Sequence, residues 1–341
     1  MERCLPTMIV GYVETSGEAP DLARAETIAA AEALGGGPAR AVRPFGGLVE
    51  VEIPDLRALE ALAHRLALAR RCLLLAGEGS PPSAAIPSVA RAGGSASFRR
   101  VGGSPGRADD GVREAGRLYR AAGGTIDLDA PERRFWLGSD SRGAEAVFLE
   151  VAPIDRPQSA ARRMPLLPFQ RPIALAPRLA RAAANLARVA PGDRVLDPFL
   201  GTGALLAEAA LLGGRAFGID RDPEMVVGAL RNFAHLGVEA AEIVGGDAGS
   251  VQFRDPEQRF EAILTDAPYG RSSGAGGEEL PALLGRVVPR WADRIEPGGR
   301  VVLVVPTGTP PLDAPWHESL SVGVRVHRSL TREFRVYERG R

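Results

Sequence analysis

The sequence predicts an α/β protein in which a doubly wound sheet at the C-terminal end follows two small α+β units. Three observations lead to this prediction. Strands and helices alternate from about residue 173 to the end, the first 76 residues follow the order β-α-β-β-α-β, and a proline-punctuated segment separates the two halves. With 341 residues, of which 45% are hydrophobic, the chain is long enough for two or three domains with buried cores.

The first segment, 1–78, is expected to be a ferredoxin-like domain. Its strands are predicted where apolar, β-prone residues run or alternate: 8–13, 41–43, 48–53 and 72–75. Its helices are predicted where apolar residues recur at helical spacing: 21–34 and 55–68. Residues 77–94 are rich in Gly, Pro, Ser and Ala, which predicts a linker.

The second segment, 79–155, is predicted to hold a helix at 112–122 and four short strands, at 98–101, 125–128, 135–137 and 146–151. A linker over 156–172 and an α/β domain over 173–341 follow. The whole chain has 42 basic and 42 acidic residues, which excludes binding driven by a globally positive surface. Residues 91–188, however, carry 17 Arg and 10 acidic residues. This excess favours a local contact with a phosphate backbone, although a solvated Arg-rich surface gives the same pattern.

The numbers and spacing of Cys and His, together with the apolar pattern, indicate the cellular compartment and argue against a metal site. Two Cys, Cys4 and Cys72, are too few for a disulfide framework, and the four His are scattered without metal-ligand spacing. No stretch has the length of a membrane span or the pattern of a signal peptide. We therefore expect a cytoplasmic protein without a bound metal or membrane association.

A strand, a glycine loop and a helix form the first motif that carries chemistry. The predicted strand 194–197 ends at Asp197, and residues 198–203 turn directly into the apolar helix 204–212. Gly201 and Gly203 would let backbone N–H groups approach a nucleotide-type cofactor at the helix N-terminus. The loop lacks G-x-G-x-x-G, which argues against a dehydrogenase.

The next three strands also end in acidic residues. Asp220 follows the strand 215–219 and is placed to accept hydrogen bonds from ribose hydroxyls. Asp247 follows the strand 242–244 and could bind an adenine amino group, and Asp266 ends the strand 262–265. Because ligands of open α/β sheets bind at the carboxyl edge, these four strand ends predict one crevice.

The tetrapeptide Asp266-Ala267-Pro268-Tyr269 indicates the reaction class. An exocyclic base amine is a poor nucleophile because its lone pair is delocalised into the ring. If the Asp266 carboxylate and the Ala267 carbonyl accept its two hydrogens, the nitrogen lone pair is held towards an electrophilic methyl group. Tyr269 would stack on the base, which is worth about 1 to 3 kcal/mol.

These motifs resemble those of class I S-adenosylmethionine-dependent amino-methyltransferases. The resemblance rests on Asp197-Pro-Phe-Leu-Gly-Thr-Gly203, Asp220, Asp247 and Asp266-Ala-Pro-Tyr-Gly270, where the family has Asn or Asp, Pro, Pro, Tyr at the last site. Ala267 departs from that pattern but keeps the backbone carbonyl, and Leu200 stands where many relatives carry Cys. The resemblance implies S-adenosylmethionine as cofactor.

A closer resemblance is to the THUMP-containing tRNA guanine-N2 methyltransferases that act on guanosine 10. It is carried by Arg171-Pro172, by residues 177–188, by Asp266-Ala-Pro-Tyr-Gly-Arg-Ser-Ser273 and, in the middle segment, by Phe98-Arg-Arg100, Arg113-Glu-Ala-Gly116 and Ile126-Asp-Leu128. It implies a Rossmann-like methyltransferase sheet at 173–341 that follows small ferredoxin-like and THUMP-like domains. In that family the N-terminal domains hold the tRNA.

The resemblance assigns roles to individual residues. The catalytic residues are Asp266, Ala267, Pro268 and Tyr269. The cofactor-binding residues are Asp197, Phe199, Gly201, Thr202, Gly203, Asp220, Asp247 and Ala248. The RNA-binding residues are Arg99, Arg100, Arg113 and Arg117, and no residue is assigned to a metal.

The expected activity is methyl transfer to N2 of a guanosine in tRNA, at position 10, by a protein that is compatible with a monomer. The alternatives are an rRNA guanine-N2 methyltransferase, a DNA adenine methyltransferase, because the tetrapeptide serves exocyclic amines generally, and a catalytically silent RNA-binding protein. Singly, each acidic residue could also be an ordinary strand-end acid, and Tyr269 could be core packing.

Overall fold

The structure is a computed structural model that describes residues 8–37, 48–78, 85–91, 93–102, 110–139, 145–154, 161–162, 166–172, 174–268, 278–313, 315–327 and 330–339. The described residues divide into two compact units. One holds the residues up to 20 and those from 34 to 154, and the other holds residues 21–33 and those from 155 onward. The predicted α/β class is confirmed.

The helices and strands are numbered in chain order. The strands are β1 Ile9–Thr15, β2 Leu48–Ile53, β3 Ala69–Glu78, β4 Ser95–Arg100, β5 Thr125–Ile126, β6 Arg133–Ser139, β7 Glu145–Pro153, β8 Arg194–Asp197, β9 Arg215–Asp220, β10 Ala240–Gly245, β11 Phe260–Asp266, β12 Ile295–Pro306, β13 Trp316–His327 and β14 Leu330–Arg339. The helices are α1 Pro20–Ala33, α2 Leu56–Arg65, α3 Ile86–Ala90, α4 Asp110–Ala121, α5 Pro177–Leu186, α6 Ala204–Leu211, α7 Pro223–Leu236 and α8 Leu280–Arg294. The strand predicted at 41–43 lies outside the described residues.

One seven-stranded sheet organises the first unit, in the order β2-β1-β3-β7-β6-β4-β5. β1 lies between β2 and β3 and pairs antiparallel with both, as a split β-α-β arrangement requires. β3 pairs antiparallel with β7, and the rings of Tyr12 and Phe148 meet edge to face with their centroids 5.0 Å apart. The segments 1–78 and 79–155, which the sequence assigned to two domains, therefore share one sheet.

The linker predicted over 77–94 is wrong in part. β3 continues through Glu78, and α3 lies within the predicted linker. Ala85, Ile86, Val89 and Ala90 are buried and pack into a core with Phe98, Tyr119 and Phe135. These four residues follow helical spacing, but the surrounding Gly, Pro and Ser residues hide that pattern in the composition.

A second seven-stranded sheet organises the other unit, in the order β10-β9-β8-β11-β12-β14-β13. The strands from β10 to β12 are parallel, whereas β14 runs antiparallel to β12 and to β13. The chain order reverses between β8 and β11, and such a switch point opens a crevice at the carboxyl edge of the sheet. The four predicted acidic strand ends all lie at this edge.

Aromatic and branched side chains fill the core beneath that edge. Phe217, Phe253 and Phe260 pack edge to face with centroid separations of 5.4–5.8 Å. Trp291 of α8 is buried and contacts the ring of Phe199 at 6.0 Å. This packing holds the loop after β8 against the sheet, and the loop carries the glycines of the predicted site.

Helix α1 belongs to the second unit although it lies between two strands of the first sheet in the sequence. Asn185 Nδ2 of α5 donates a hydrogen bond of 2.8 Å to Glu26 Oε1, and Glu26 is fully buried. Arg188 also pairs with Glu32. Because a buried carboxylate needs a hydrogen-bond partner, these contacts fix α1 on α5.

The structure differs from the predicted linker 156–172 at its C-terminal end. Residues 166–172 pack within the second unit. Phe169 N donates to Asn232 Oδ1, and Asn232 Nδ2 donates back to the Phe169 carbonyl, each at 3.0 Å. A side chain at Gly228 would collide with the Phe169 ring. The proline-rich composition predicted a linker, but Phe169 has a built packing site on α7.

Candidate active site

A cavity of about 360 Å³ lies at the carboxyl edge of the second sheet. It is lined by most of the residues that the sequence assigned to catalysis and cofactor binding: Asp197, Phe199, Gly201, Thr202, Asp220, Asp247, Ala248, Asp266, Ala267 and Pro268. Gly203 is not among the residues that line this cavity, and Tyr269 lies outside the described residues. The structure therefore brings the ends of β8, β9, β10 and β11 to one space.

The loop between β8 and α6 is fixed by the two carboxylates that flank it. Asp197 Oδ1 accepts a hydrogen bond from Phe199 N at 3.0 Å, and Asp220 Oδ2 accepts one from Gly201 N at 2.8 Å. Gly201 has φ +52° and Gly203 has φ +81°, which favour glycine. A Cβ at Gly203 would lie 2.8 Å from Phe233 Cε1, so this glycine serves close packing of α6 on α7.

Asp197 is buried at the centre of the loop. Its Oδ1 also accepts a hydrogen bond of 2.6 Å from Thr265 Oγ1. Burial raises the pKa of Asp197 to about 7, although the hydrogen bonds from Thr265 and Phe199 act in the opposite direction. Thr265 is a site residue that the sequence prediction missed, because nothing in the strand 262–265 distinguishes it from an ordinary core threonine.

Asp220 holds backbone groups with both of its oxygens. Oδ2 accepts from Gly201 N and Oδ1 accepts from Asp222 N at 2.9 Å. Burial raises the pKa of Asp220, and the two backbone hydrogen bonds oppose that rise. Each carboxylate oxygen has a second lone pair, so this side chain can still accept a hydrogen bond from a hydroxyl group in the cavity.

Asp247 is held by an arginine that the sequence prediction did not include. Arg286 of α8 binds it with two hydrogen bonds, Nη1 to Oδ1 at 2.5 Å and Nη2 to Oδ2 at 3.0 Å. Gly249 N donates to the same Oδ1 at 2.8 Å, and Arg286 also pairs with Glu278. The hydrogen bonds from Arg286 lower the pKa of Asp247, so this carboxylate stays ionised.

Asp266 at the end of β11 has one paired and one unpaired oxygen. Arg332 Nη1 lies 3.0 Å from Asp266 Oδ2. Oδ1 is shielded from solvent and has no hydrogen-bond partner among the described residues. Burial raises the pKa of Asp266 to about 6, and the charge of Arg332 opposes the rise. A buried acceptor without a donor costs free energy, which marks a place for a ligand donor.

Backbone pairing holds the residue after Asp266. Ala267 N donates to the Val304 carbonyl at 3.1 Å, and the Ala267 side chain is buried. Ala267 therefore stays aligned with β12 although the family pattern has a proline at this position. The loop keeps this alignment because the hydrogen bond supplies the restraint that a proline ring would otherwise give.

The segment 166–172, here called the strap, contributes two residues to the lining of the cavity. Arg171 and Pro172 line it, and Arg171 Nη2 pairs with Glu224 Oε1 at 2.5 Å. The Arg171 guanidinium also lies 4.5 Å from the centroid of the Phe169 ring. Arg171 is part of the sequence motif that carries the family resemblance, but the resemblance assigns it no role in the site.

The proposed RNA-binding arginines lie in the first unit. Arg100 pairs with Glu145 at 3.4 Å, Arg113 pairs with Asp110 at 3.0 Å, and Arg117 pairs with Glu114. Arg99 is exposed on β4, and the side chains of Arg113 and Arg117 are 64% and 74% exposed on adjacent turns of α4. The ion pairs on α4 are exposed, and such pairs are weak enough for a phosphate to compete with them.

The hydrogen-bond acceptors of the cavity fit a cofactor that has an adenosine part and an amino-acid part. The carboxylates of Asp197, Asp220 and Asp247 can accept hydrogen bonds from ribose hydroxyls and amino groups, and Met225 and Leu205 supply apolar walls. Among the described residues no cluster of three or more His, Cys, Asp or Glu could hold a metal ion. No helix in the described ranges is long and apolar enough to cross a membrane.

The strand order of the second sheet, the glycine loop and the acidic strand ends define a class I methyltransferase domain. Residues 166–314 match the family model UPF0020, described as an RMKL-like methyltransferase domain. The solved structure of TrmN from Thermus thermophilus superposes with a TM-score of 0.52 at 23% identity, covering 97% of this chain and 99% of that chain.

Curated relatives narrow this class. A tRNA (guanine(10)-N2)-dimethyltransferase of Methanothermobacter thermautotrophicus is 38% identical over 50% of this chain and 51% of the relative, so the match spans about half of that protein. The enzyme of the same name from Pyrococcus abyssi is 33% identical over 65% of this chain and 67% of the relative. A tRNA (guanine(6)-N2)-methyltransferase of Thermus thermophilus is 34% identical over 71% of this chain and 73% of the relative.

The chain belongs to the tRNA guanine-N2 methyltransferase family, whose cofactor is S-adenosylmethionine. The resemblance inferred from the sequence motifs is thereby confirmed. The THUMP-like character of the middle segment stays a prediction.

Proposed function

We propose that this protein transfers the methyl group of S-adenosylmethionine to the exocyclic N2 amine of a guanosine in tRNA. The observation that carries the proposal is the convergence of the glycine loop, three cofactor-type carboxylates and Asp266-Ala267-Pro268 on one cavity of about 360 Å³. Relatives that are named for tRNA and for guanine N2 support tRNA as the substrate class and guanine N2 as the target atom.

The residues around Asp266 do the work of positioning. When bound, the cofactor supplies an electrophilic methyl group on sulfur. The Asp266 carboxylate and the Ala267 carbonyl accept the two hydrogens of the amine, which directs the nitrogen lone pair at that methyl group. The N–C bond would form as the S–C bond breaks, with the electron pair left on sulfur. The alkylated nitrogen is then acidic and can release one proton to the adjacent Asp266 carboxylate, so no strong base is required. Tyr269 would stack on the flipped base, and this role stays a prediction.

Substrate class is tested by labelled methyl transfer. Purified protein and labelled cofactor are incubated with unmodified tRNA, rRNA or DNA, and the products are digested to nucleosides. We expect label in N2-methylguanosine from tRNA. Label in rRNA guanosine or in methyladenine would replace this proposal by one of its alternatives, and cofactor binding without transfer to any of the three would favour a silent RNA-binding protein.

Position 10 is proposed for the target, and position 6 is the second candidate. The larger share of the chain aligns with the relative named for guanine 6, whereas several relatives are named for guanine 10. Inosine lacks only the N2 amine of guanosine. Transcripts with inosine at position 10 should accept no label, whereas inosine at position 6 should leave transfer intact; the opposite result moves the assignment to position 6.

We propose that the segment 79–155 acts as a THUMP-like RNA-binding domain next to the ferredoxin-like segment 1–78. Arg113 and Arg117 project from adjacent turns of α4, and Arg99 is exposed on β4. Changing these residues and Arg100 to Ala should weaken tRNA binding and reduce the slope of log K against log salt by about 0.7 to 0.9 for each phosphate that is no longer neutralised. An unchanged slope would reject this surface. A cytoplasmic location is part of the same proposal.

A further inference from the structure

Arg332 is buried at the start of β14, next to Asp266. β14 runs antiparallel to β12, and Arg332 lies opposite Pro306, two residues beyond the partner of Asp266 on that strand, Val304. The antiparallel strand thus delivers a cation to the carboxyl edge, where the parallel strands end in acids. Arg332 lines the same cavity as Asp266.

Several charged groups surround this cavity. Asp266 lies close enough to Asp197 on β8 for its charge to raise the pKa of Asp197. The other charged residues that line the cavity are Arg171, Asp220, Arg221, Asp222 and Asp247. Among the described residues, Arg332 is the one cation with an ion pair to Asp266. Burial of Asp266 opposes its ionisation, and the charge of Arg332 favours it.

We propose that Arg332 is a positioning residue for methyl transfer: it binds Oδ2 of Asp266, keeps the carboxylate ionised, and thereby leaves Oδ1 as the acceptor of the substrate amine. This inference rests on the function proposed above. Two observations carry it, the 3.0 Å contact between Arg332 Nη1 and Oδ2, and the absence of a donor for Oδ1 among the described residues.

This arrangement determines why the residue at position 266 is Asp and not Asn. Arg332 only donates hydrogen bonds, whereas an Asn side chain has one accepting oxygen and one donating NH₂ group. In an Asp266→Asn protein, Arg332 would take the oxygen and turn the NH₂ group towards the substrate amine. Two donors would then face each other, and the amine would lose its acceptor.

The proposal is tested by a double-mutant cycle between positions 266 and 332. We expect Asp266→Asn to lower kcat by tenfold or more, because a buried polar group then faces a group it cannot pair with. Arg332→Met should lower kcat of the wild type but raise kcat of Asp266→Asn, because the Asn side chain is then free to present its oxygen. Equal losses in both backgrounds, or an Asp266→Asn protein as active as the wild type, would overturn the proposal.

The pH profile gives a second and independent readout. Loss of an adjacent opposite charge shifts a carboxyl pKa by about 1 to 3 units, so the acid limb of kcat/KM should move up by at least about one pH unit in Arg332→Met. Arg332→Lys keeps the charge and should keep the limb in place while kcat falls. An acid limb that Arg332→Met leaves unmoved would contradict the proposal. The Lys protein keeps the test decisive if the Met protein does not fold.

Controls separate this inference from the proposed function. Arg325 is exposed on the neighbouring strand β13, and Arg325→Met should leave kcat and the acid limb unchanged. Calorimetry should give the same cofactor affinity for the wild type and for each position-332 variant. If the wild type transfers no methyl group to tRNA, the proposed function fails; if it does and the cycle is additive, the role of Arg332 fails.

Discussion

Two strand-end carboxylates of the same cavity, Asp247 and Asp266, differ in how many of their oxygens an arginine contacts. Arg286 binds both oxygens of Asp247, lowers its pKa and leaves it locked. Arg332 binds one oxygen of Asp266, whose pKa is nevertheless raised by burial. Asp247 is held by three hydrogen bonds and keeps a lone pair on Oδ2 that a cofactor group can use, whereas Asp266 has one oxygen with no partner among the described residues. Under the proposed function, Asp247 belongs to the cofactor end of the cavity and Asp266 to the reacting end.

The largest expected effect comes from removing Asp266, the carboxylate with one unpaired oxygen. Asp266→Ala should lower turnover by about 10²- to 10³-fold, the loss typical of removing one preorganised polar group from a reacting centre. The cofactor affinity measured by calorimetry should stay close to that of the wild type. A loss of cofactor affinity as large as the loss of turnover would show that Asp266 and Asp247 do not have separate roles.

The next effect concerns Asp247, the carboxylate that Arg286 holds. Asp247→Ala should weaken cofactor binding by tenfold or more, because a hydrogen bond to a charged group is worth about 1.5 to 3 kcal/mol. Turnover at saturating cofactor should change much less. If Asp247→Ala lowers turnover at saturating cofactor as strongly as Asp266→Ala does, the two carboxylates do not have different roles.

The two ends should also differ in their response to pH. The amine needs the ionised form of Asp266, whose pKa is about 6, so kcat/KM should fall about tenfold for each pH unit below that value. The lowered pKa of Asp247 keeps its contribution to cofactor affinity constant over the same range. A cofactor affinity that falls together with kcat/KM between pH 6 and pH 5 would contradict this contrast.

The smallest expected effect is on stability. The pKa of Asp266 is higher in the folded protein than in the unfolded chain, so the folded state binds more protons between about pH 4 and pH 6 and its stability falls as pH rises through that window. Asp197, at about 7, extends the window upward. Asp247 has the opposite sign, and its contribution is lost as pH falls through its lowered pKa.

Urea unfolding from pH 3 to pH 8 separates these contributions. Asp266→Asn should flatten the loss of stability at the high end of the range, and Asp247→Asn should flatten the loss at the low end. Identical profiles for the two variants would show that the arginines do not set the difference between the ends.

The sequence predicted the parts of the site that are local in the chain. Each of Asp197, Asp220, Asp247 and Asp266 follows a recognisable strand, and the crevice rule brings such strand ends together. Their partners could not be predicted in this way. Arg286 and Arg332 come from a helix and an antiparallel strand far along the chain, and their contacts depend on sheet order and register, which one sequence does not specify.

The same distinction applies to the fold. Strands β2 and β8 begin and end at the predicted residues because their apolar patterns are complete within a few positions. α3 and the strap around Phe169 were missed because Pro, Gly and Ser outweigh a few apolar residues in a short window. Those apolar residues are buried because of tertiary packing, and their pattern is hidden when composition is averaged over a short window.

Helix α1 has a consequence for how this enzyme can be divided. A fragment that starts at residue 155 would lack α1, and Asn185 and Arg188 would be left without the carboxylates of Glu26 and Glu32. The catalytic unit is therefore discontinuous in the gene, interrupted by the strands of the other unit. A single cut in the chain therefore cannot release this unit whole.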